Sequence, residues 1–197
     1  MSALAIALAL SLSAADGEPV VETISWGDQA TNKKATHPVP PWLPRSAALG
    51  LTAREGMWSM HLRLHWEIGL YERNGHDLVL IPLLGTGFSL STPQGMTAQY
   101  QHVALLGFGY RKVSKLINWG FNWGIGVNWY RTAYVYTPLE SRVVGYTEGR
   151  AQLGVRVAKN VVLGGYFGYG SPLQFDARYP GLTYTGGIMF GLFVDWR

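Results

Sequence analysis

Residues 116–131, LINWGFNWGIGVNWYR, alternate between two kinds of side chain. From residue 117 to residue 130, the odd-numbered positions carry large apolar and aromatic groups, and the even-numbered positions carry Asn, Gly and Tyr. Only an extended strand sends successive side chains to opposite faces, so the pattern predicts a β-strand. The segment is about three times the usual strand length of 5–6 residues. A strand of this length, with one apolar face and one small polar face, is typical of a barrel wall between lipid and a tight polar interior.

Residues 57–71 repeat this alternation, with Trp, Met, Leu and Ile on one face and His, Arg and Glu on the other. Asn74-Gly75 follows and predicts a type I′ hairpin turn. Glu55-Gly56 and Lys159-Asn160 predict further tight turns. Pro82 lies inside an apolar segment where it cannot donate to a ladder, which predicts a β-bulge there.

The same analysis along the chain predicts an all-β fold of eight antiparallel strands in an up-and-down transmembrane barrel with a filled interior. The predicted strands are Leu43–Arg54, Met57–Tyr71, Leu78–Leu90, Ala98–Lys112, Leu116–Arg131, Val143–Ala158, Val161–Gly170 and Gly181–Arg197. Short connections near residues 74, 114 and 160 alternate with longer ones near 94, 137 and 176, and the tight turn at Glu55-Gly56 is an exception because a long connection is expected there. Outer-membrane barrels have short periplasmic turns and longer outer loops, so both ends of the barrel domain, 43–197, are expected in the periplasm.

Composition supports a membrane barrel. Charged residues make up 14% of the 197-residue chain, against about 25% in an average soluble domain. The chain has no Cys, which excludes disulfides, thiolate metal sites and cysteine nucleophiles. After the N-terminus, no apolar run reaches the roughly 18 residues that a transmembrane helix needs. The formal net charge of +4 comes from scattered groups, so nucleic acid is not an expected partner.

The N-terminal residues 1–15, MSALAIALALSLSAA, form an apolar run that ends in small residues. This pattern predicts a secretory signal peptide cleaved after Ala15, although no Lys or Arg precedes the apolar run. Residues 16–42 have no sustained period and become rich in Pro, which predicts a periplasmic N-terminal segment. The expected location is the outer membrane of a Gram-negative cell envelope.

The alternating strands, the short and long connections and the last segment GLTYTGGIMFGLFVDWR resemble the small outer-membrane β-barrels. That group includes the membrane domain of outer membrane protein A and the opacity proteins. The resemblance is architectural and implies recognition by the barrel-assembly machinery, which reads a terminal aromatic residue. Here Arg197 follows Trp196, so the terminal position departs from that pattern.

Polar residues on the predicted inner faces suggest an ion-paired lumen. Two strands that lie opposite each other in the predicted barrel carry these residues: His61, Arg63, His65, Glu67, Glu148, Arg150 and Arg156. Matched heights place Arg63 near Glu148, and Glu67 near Arg150 and Gln152. Each buried charge needs a partner, because an unpaired one costs several kcal/mol. A satisfied polar core is the favoured interpretation; a proton relay, a gate or a His-dependent hydrolase site is the functional alternative. The chain offers no clear third ligand for a His61–His65 metal site, and no cofactor is expected.

Aromatic residues near the strand ends predict girdles at the two membrane interfaces. They are Trp58, Tyr71, Tyr110, Trp119, Trp129 and Tyr130. Arg131, Arg142 and Arg178 flank the outer loops, where lipopolysaccharide phosphates are one candidate partner and solvent is the other.

These patterns predict an integral outer-membrane protein, expected as a monomer in contact with lipid and lipopolysaccharide. Its expected role is structural or surface-interacting, with a closed or nearly closed lumen. One alternative is an enzyme that modifies an outer-membrane lipid, although none of the five His has a Ser two residues on. The other alternative is a soluble ligand-binding barrel, whose apolar face would point inward.

Overall fold

Long alternating segments form one antiparallel sheet that closes on itself. The computed structural model describes residues 42–136, 138–174, 176 and 178–196. Within them the chain forms β1 (Ser46–Arg54), β2 (Met57–His65), β3 (Ile68–Arg73), β4 (His76–Ser91), β5 (Met96–Val113), β6 (Ile117–Tyr134), β7 (Glu140–Ala158), β8 (Val161–Pro172), the short helix α1 (Pro180–Thr183) and β9 (Gly187–Trp196). The predicted signal peptide, 1–15, and the N-terminal segment, 16–42, lie outside the described residues except for Trp42.

The barrel closes where the first strand meets the last. β1 pairs antiparallel with β9, from Ser46 opposite Asp195 to Ala53 opposite Ile188. β2 and β3 both pair with β4, so they form two halves of one wall strand. The predicted eight-stranded antiparallel barrel is therefore confirmed.

The break between β2 and β3 lies opposite Pro82. The Trp66 amide donates to the Pro82 carbonyl at 2.9 Å, and ladder pairing resumes with Ile68 opposite Leu80, with a register shift between Gly69 and Tyr71. The N–H and C=O of a strand residue point to the same side, so the donor that Pro82 lacks would face this break. β4 continues without a register shift against β5, with Pro82 opposite Leu106. The predicted bulge at Pro82 is therefore wrong: the irregularity is in the neighbouring strand.

Two tight turns connect neighbouring strands: Glu55-Gly56 joins β1 to β2, and Asn74-Gly75 joins β3 to β4. Glu55 and Gly56 have φ of 46° and 79°, and Asn74 and Gly75 have φ of 52° and 74°. Positive φ at both central residues is what a type I′ turn requires, so both predicted tight turns are confirmed.

The last strand is shorter than predicted. It begins at Gly187, and residues 180–183 form α1 in place of the extended backbone that the sequence predicted from Gly181. Gly186 and Gly187 have φ of 78° and 120°, and this backbone turn separates α1 from β9. Leu182, which lies within the predicted last strand, is 4% exposed.

The apolar face of the barrel points outward. Along β6, large side chains such as Phe121 and Trp123 are exposed, whereas Asn118 and Asn128 on the alternate face are buried. The soluble-barrel alternative required the opposite arrangement. Among the residues that the structure describes, no helix is long and apolar enough to cross a membrane.

Candidate functional site

A carboxylate between two arginines lies at the centre of the lumen. Glu148, on β7, accepts from Arg63 Nη2 at 3.3 Å through Oε2, and Arg150 Nε lies 3.2 Å from its Oε1. Glu148 is 2% exposed. β2 and β7 are on opposite sides of the barrel, so these contacts bridge the lumen. Buried charges are tolerated where such pairing offsets the loss of hydration.

Two histidines extend this group. The Arg150 guanidinium donates to His65 Nε2. His61 Nδ1 lies 2.8 Å from the Thr52 hydroxyl, and its Nε2 lies 2.5 Å from the Tyr166 hydroxyl. The six side chains that these contacts connect form what we call the central cluster: His61, Arg63, His65, Glu148, Arg150 and Tyr166.

A second charged group lies nearer the end of the barrel that carries the short turns. Arg111, on β5, donates to both carboxylate oxygens of Glu67 and lies 3.5 Å from Asp195 Oδ2. We call Glu67, Arg111 and Asp195 the short-turn cluster. The two clusters together contain three arginines and three carboxylates, so their formal charges cancel. A bidentate Arg–carboxylate pair also fixes side-chain orientation, which helps to fill the lumen in one arrangement.

Glycines leave the space that the arginines occupy. A Cβ at Gly120 would lie 2.7 Å from Arg111 Cγ, and a Cβ at Gly168 would lie 2.5 Å from Arg150 Cγ. A Cβ at Gly85 would lie 2.6 Å from Arg63 Nη1. Each of the three arginines therefore extends over a glycine, in space that a larger side chain would fill.

The described residues of the connection from β8 to β9, which are 173, 174, 176 and 178–186, fold over the other end of the lumen. Gly181 N donates to Glu140 Oε2 at 3.2 Å, and Gln99 Nε2 donates to the Gly181 carbonyl at 2.8 Å. Arg54 donates to the Thr185 carbonyl at 2.7 Å. We call these described residues the loop cap. Its bonds to three different strands hold α1 against the barrel mouth.

Glu140 is the anchor of this cap. Its Oε1 accepts from the Tyr130 hydroxyl at 2.5 Å, and its Oε2 accepts from the Tyr134 hydroxyl at 3.1 Å. Tyr130 is 0% exposed, so its predicted place in a lipid-facing girdle is wrong. Its even-numbered position on β6 puts it on the inner face, where its hydroxyl has a carboxylate partner.

The other predicted girdle residues lie on the outer wall. Trp58, Tyr71, Trp119 and Trp129 are exposed, and Tyr110 is half-buried. Trp129 Nε1 donates to the Ser141 hydroxyl at 3.0 Å.

The lumen differs in three ways from the sequence prediction. Glu67 pairs with Arg111, not with Arg150. Arg150 instead shares Glu148 with Arg63. Arg156 is half-buried, and it has no ion pair with any of the residues that the structure describes.

Three participants were absent from the predicted set: Arg111, Tyr166 and Asp195. The alternation gave a usable signal, because Arg111 shares a face with Gly107 and Gly109, and Asp195 faces away from Val194 and Trp196. Tyr166 lies in a segment of Gly and aromatic residues that has no clear polar face, so it had no such signal.

The loop cap also carries an exposed ion pair outside the strands. Arg178 Nη2 donates to Asp176 Oδ2 at 2.6 Å, and the Arg178 amide donates to Asp176 Oδ1 at 3.0 Å. The hydrogen bonds from the Arg178 side chain lower the pKa of Asp176 to about 2. Arg142 places its guanidinium 4.0 Å from the Tyr179 ring centroid.

Within the described ranges, no group of three or more His, Asp or Glu is arranged to hold a metal ion.

Comparisons with known proteins agree with this architecture. The outer membrane enzyme PagL has a structure that is 18% identical, with a TM-score of 0.50 over 77% of this chain and 97% of that chain. Neisserial surface protein A is 10% identical, with a TM-score of 0.49 over 77% and 94%. Ail, the attachment invasion locus protein of Yersinia pestis, is 12% identical, with a TM-score of 0.41 over 77% and 93%.

No protein-family profile and no curated protein sequence matches the chain. At 18% identity, the similarity to PagL concerns the fold alone. The chain therefore has the architecture of the small eight-stranded outer-membrane β-barrels.

Proposed function

We propose that the chain is an integral outer-membrane barrel with a closed lumen and a structural or surface-interacting role. The observation that carries the proposal is the obstruction of the lumen by two charged clusters and a cap. The central cluster crosses the barrel through Arg63 and Glu148, the short-turn cluster ties β5 to Glu67 and Asp195, and the loop cap covers the other end.

The outer wall supports membrane insertion. Tyr100 and Tyr110 lie on the outer face of β5, ten residues apart, and the exposed side chains between them include Leu106 and Phe108. At a rise of about 3.3 Å per residue and a tilt of about 40°, ten residues span roughly 25 Å along the barrel axis. That matches the height of the apolar band of an outer-membrane barrel, with an aromatic residue at each edge.

Arginines at the outer end are the proposed contacts for lipopolysaccharide. Arg131 and Arg142 are exposed, and each lies near an aromatic ring: Arg131 lies 6.0 Å from the centroid of Trp129. Arg178 is already paired with Asp176, so it contributes less. Charge-assisted bonds from a guanidinium to phosphate are stronger than neutral ones. The variant Arg131→Gln/Arg142→Gln is expected to release lipopolysaccharide from the purified barrel at a lower salt concentration than the wild type.

Two measurements test the main proposal. In the first, the protein is extracted from membranes and run on a gel with and without heating; a folded barrel is expected to need detergent and to migrate differently when heated. In the second, the purified barrel is placed in a planar bilayer, with the heat-unfolded protein as the control. A closed lumen predicts no steady conductance, whereas a constant open-pore current from every inserted molecule would contradict it.

An enzyme acting on outer-membrane lipid is less well supported. A hydrolase needs a nucleophile within hydrogen-bond reach of a base. Thr52 and His61 have this arrangement at 2.8 Å, but they are 8% and 3% exposed, and His61 belongs to the central cluster that fills the lumen. The enzyme alternative predicts altered lipid species by mass spectrometry when the protein is mixed with lipid A or phospholipid, and that His61→Ala abolishes the change.

A further inference from the structure

Four strands place polar and aromatic side chains in one row on the outer wall at the short-turn end. Arg73 lies opposite His76, His76 lies opposite Lys112, and Lys112 lies opposite Trp119. Directly paired residues of neighbouring strands share a face. Lys112 has the same parity on β5 as Leu106 and Phe108, which are exposed, so the whole row faces outward.

The hydrogen bonds within this row show which of its groups donate and which accept. Lys112 Nζ donates to the Asn74 carbonyl at 3.2 Å and lies 2.5 Å from His76 Nε2. An ammonium group has no lone pair, so Nε2 must be the acceptor. The neutral imidazole then carries its proton on Nδ1, which faces the Tyr110 hydroxyl oxygen.

Two donors therefore remain for a ligand outside the barrel. Lys112 has three N–H groups, of which the contacts to Asn74 and His76 occupy two. Tyr110 accepts from His76, so its own O–H proton can point outward. Trp119 packs against Tyr110, with ring centroids 5.6 Å apart, and holds the phenol in place.

The charge of this row lacks a counterpart. Among the described residues, no carboxylate oxygen lies within 4 Å of the Lys112 amine, and Arg73 adds a second positive charge in the same row. Above the row, the wall presents the exposed rings of Phe108 and Phe121. Positive donors at the edge of an apolar surface match a ligand that has an anionic head and apolar chains.

We propose that Arg73, His76, Tyr110, Lys112 and Trp119 form a binding site for an anionic phospholipid. The phosphodiester lies between the Lys112 amine and the Tyr110 hydroxyl, and the acyl chains run along Phe108 and Phe121. The site rests on the proposed membrane insertion, with the short turns on the periplasmic side. It belongs to the inner leaflet, opposite the arginines proposed for lipopolysaccharide.

Native mass spectrometry of the full chain, released from mixed vesicles of phosphatidylglycerol and phosphatidylcholine, tests the site. The wild type is expected to retain one phosphatidylglycerol in preference to phosphatidylcholine. Lys112→Gln is expected to lower that preference about fivefold, as for one lysine near an anionic membrane surface. Tyr110→Phe is expected to lower it about twofold, because it removes one neutral hydrogen bond.

Lys115→Gln is the matched control, because it removes the same charge from the exposed turn next to β5. It is expected to leave the preference within the error of the wild type. Equal preference in the wild type and Lys112→Gln, or an equal loss in Lys115→Gln, overturns the site. Glycerol phosphate tests whether the site binds a free phosphate as well as it binds the lipid. Displacement of the lipid by an equal concentration of this soluble phosphate would also overturn the proposed lipid site.

Heat-dependent gel migration confirms that each variant is folded, and vesicle insertion is scored separately. A chain that fails to insert contradicts the proposed function. A chain that inserts but shows no lipid preference contradicts this site alone.

Discussion

Glu148→Gln removes the negative charge that lies between two buried guanidinium groups. The oxygens of Glu148 lie 3.3 Å from Arg63 and 3.2 Å from Arg150. With an effective dielectric constant of about 20, each attraction is worth about 5 kcal/mol. Glutamine keeps one acceptor oxygen, but its amide group turns a donor toward a guanidinium.

The expected loss is smaller than the sum of the two attractions, because the wild type also bears the cost of burying the carboxylate. Removing one partner of a buried ion pair destabilises proteins by about 3–5 kcal/mol, since the remaining charge is left uncompensated. Here two arginines are left facing each other across the lumen. We therefore expect Glu148→Gln to lower the free energy of unfolding by about 3–5 kcal/mol.

Urea unfolding of the barrel from lipid vesicles, followed by Trp fluorescence, measures this change. With a slope of about 1–3 kcal/mol per molar urea, the midpoint is expected to fall by at least about 1 M. Glu55→Gln is the control, because Glu55 is exposed in the tight turn between β1 and β2. A midpoint for Glu148→Gln within the error of Glu55→Gln would refute the account of the lumen.

Three further outcomes follow from the described contacts. Gly168→Val is expected to unfold the barrel or displace Arg150, because a Cβ at Gly168 would lie 2.5 Å from Arg150 Cγ; loss of heat-dependent gel migration or a lowered unfolding midpoint measures this. Glu140→Gln weakens the bonds that anchor the loop cap, so limited proteolysis is expected to cut residues 173–186 faster than in the wild type, with the barrel intact. The pKa of Asp176 is lowered to about 2, so the stabilisation from its pair with Arg178 is complete above the ordinary pKa near 3.8 and is lost as pH falls through 2. Carboxyl-carbon NMR of the barrel in micelles is expected to show that titration, and Arg178→Ala is expected to move it back toward 3.8.

The sequence predicted the wall of the barrel better than its lumen. Alternation within a strand reports directly on the two faces, so the strand predicted at Leu116–Arg131 was recognisable from a single segment, and the structure has it at Ile117–Tyr134. The pairing of Arg63 with Glu148 was also predictable, because both lie on clear alternating strands at matched heights. Glu67 was assigned the wrong partner because Arg111 was absent from the predicted set, and because the register against β4 shifts between Gly69 and Tyr71, so counting from the Asn74-Gly75 turn misjudges the height of Glu67.

The segment before β9 shows a different limit of prediction from the sequence. Leu182 and Tyr184 continue the alternation of the predicted last strand, yet residues 180–183 form a helix held by Glu140 and Gln99 from other strands. Local pattern cannot report such long-range partners, because a short segment takes the conformation that its tertiary contacts favour. Tyr130 is a similar case, since its aromatic ring suggested a membrane interface and its hydroxyl partner, Glu140, lies on the next strand.

The pairing of β1 with β9 has a consequence for how the barrel forms. Ser46 lies opposite Asp195, so the seam joins the first and last strands of the barrel. Until β9 arrives, β1 and β8 both present an unpaired edge, which is a template for aggregation. Closing so large a loop is entropically costly, and long-range pairing of this kind is slow. A chain truncated before Gly187 is therefore expected to keep the edges of β1 and β8 unpaired and to aggregate more readily than the closed barrel.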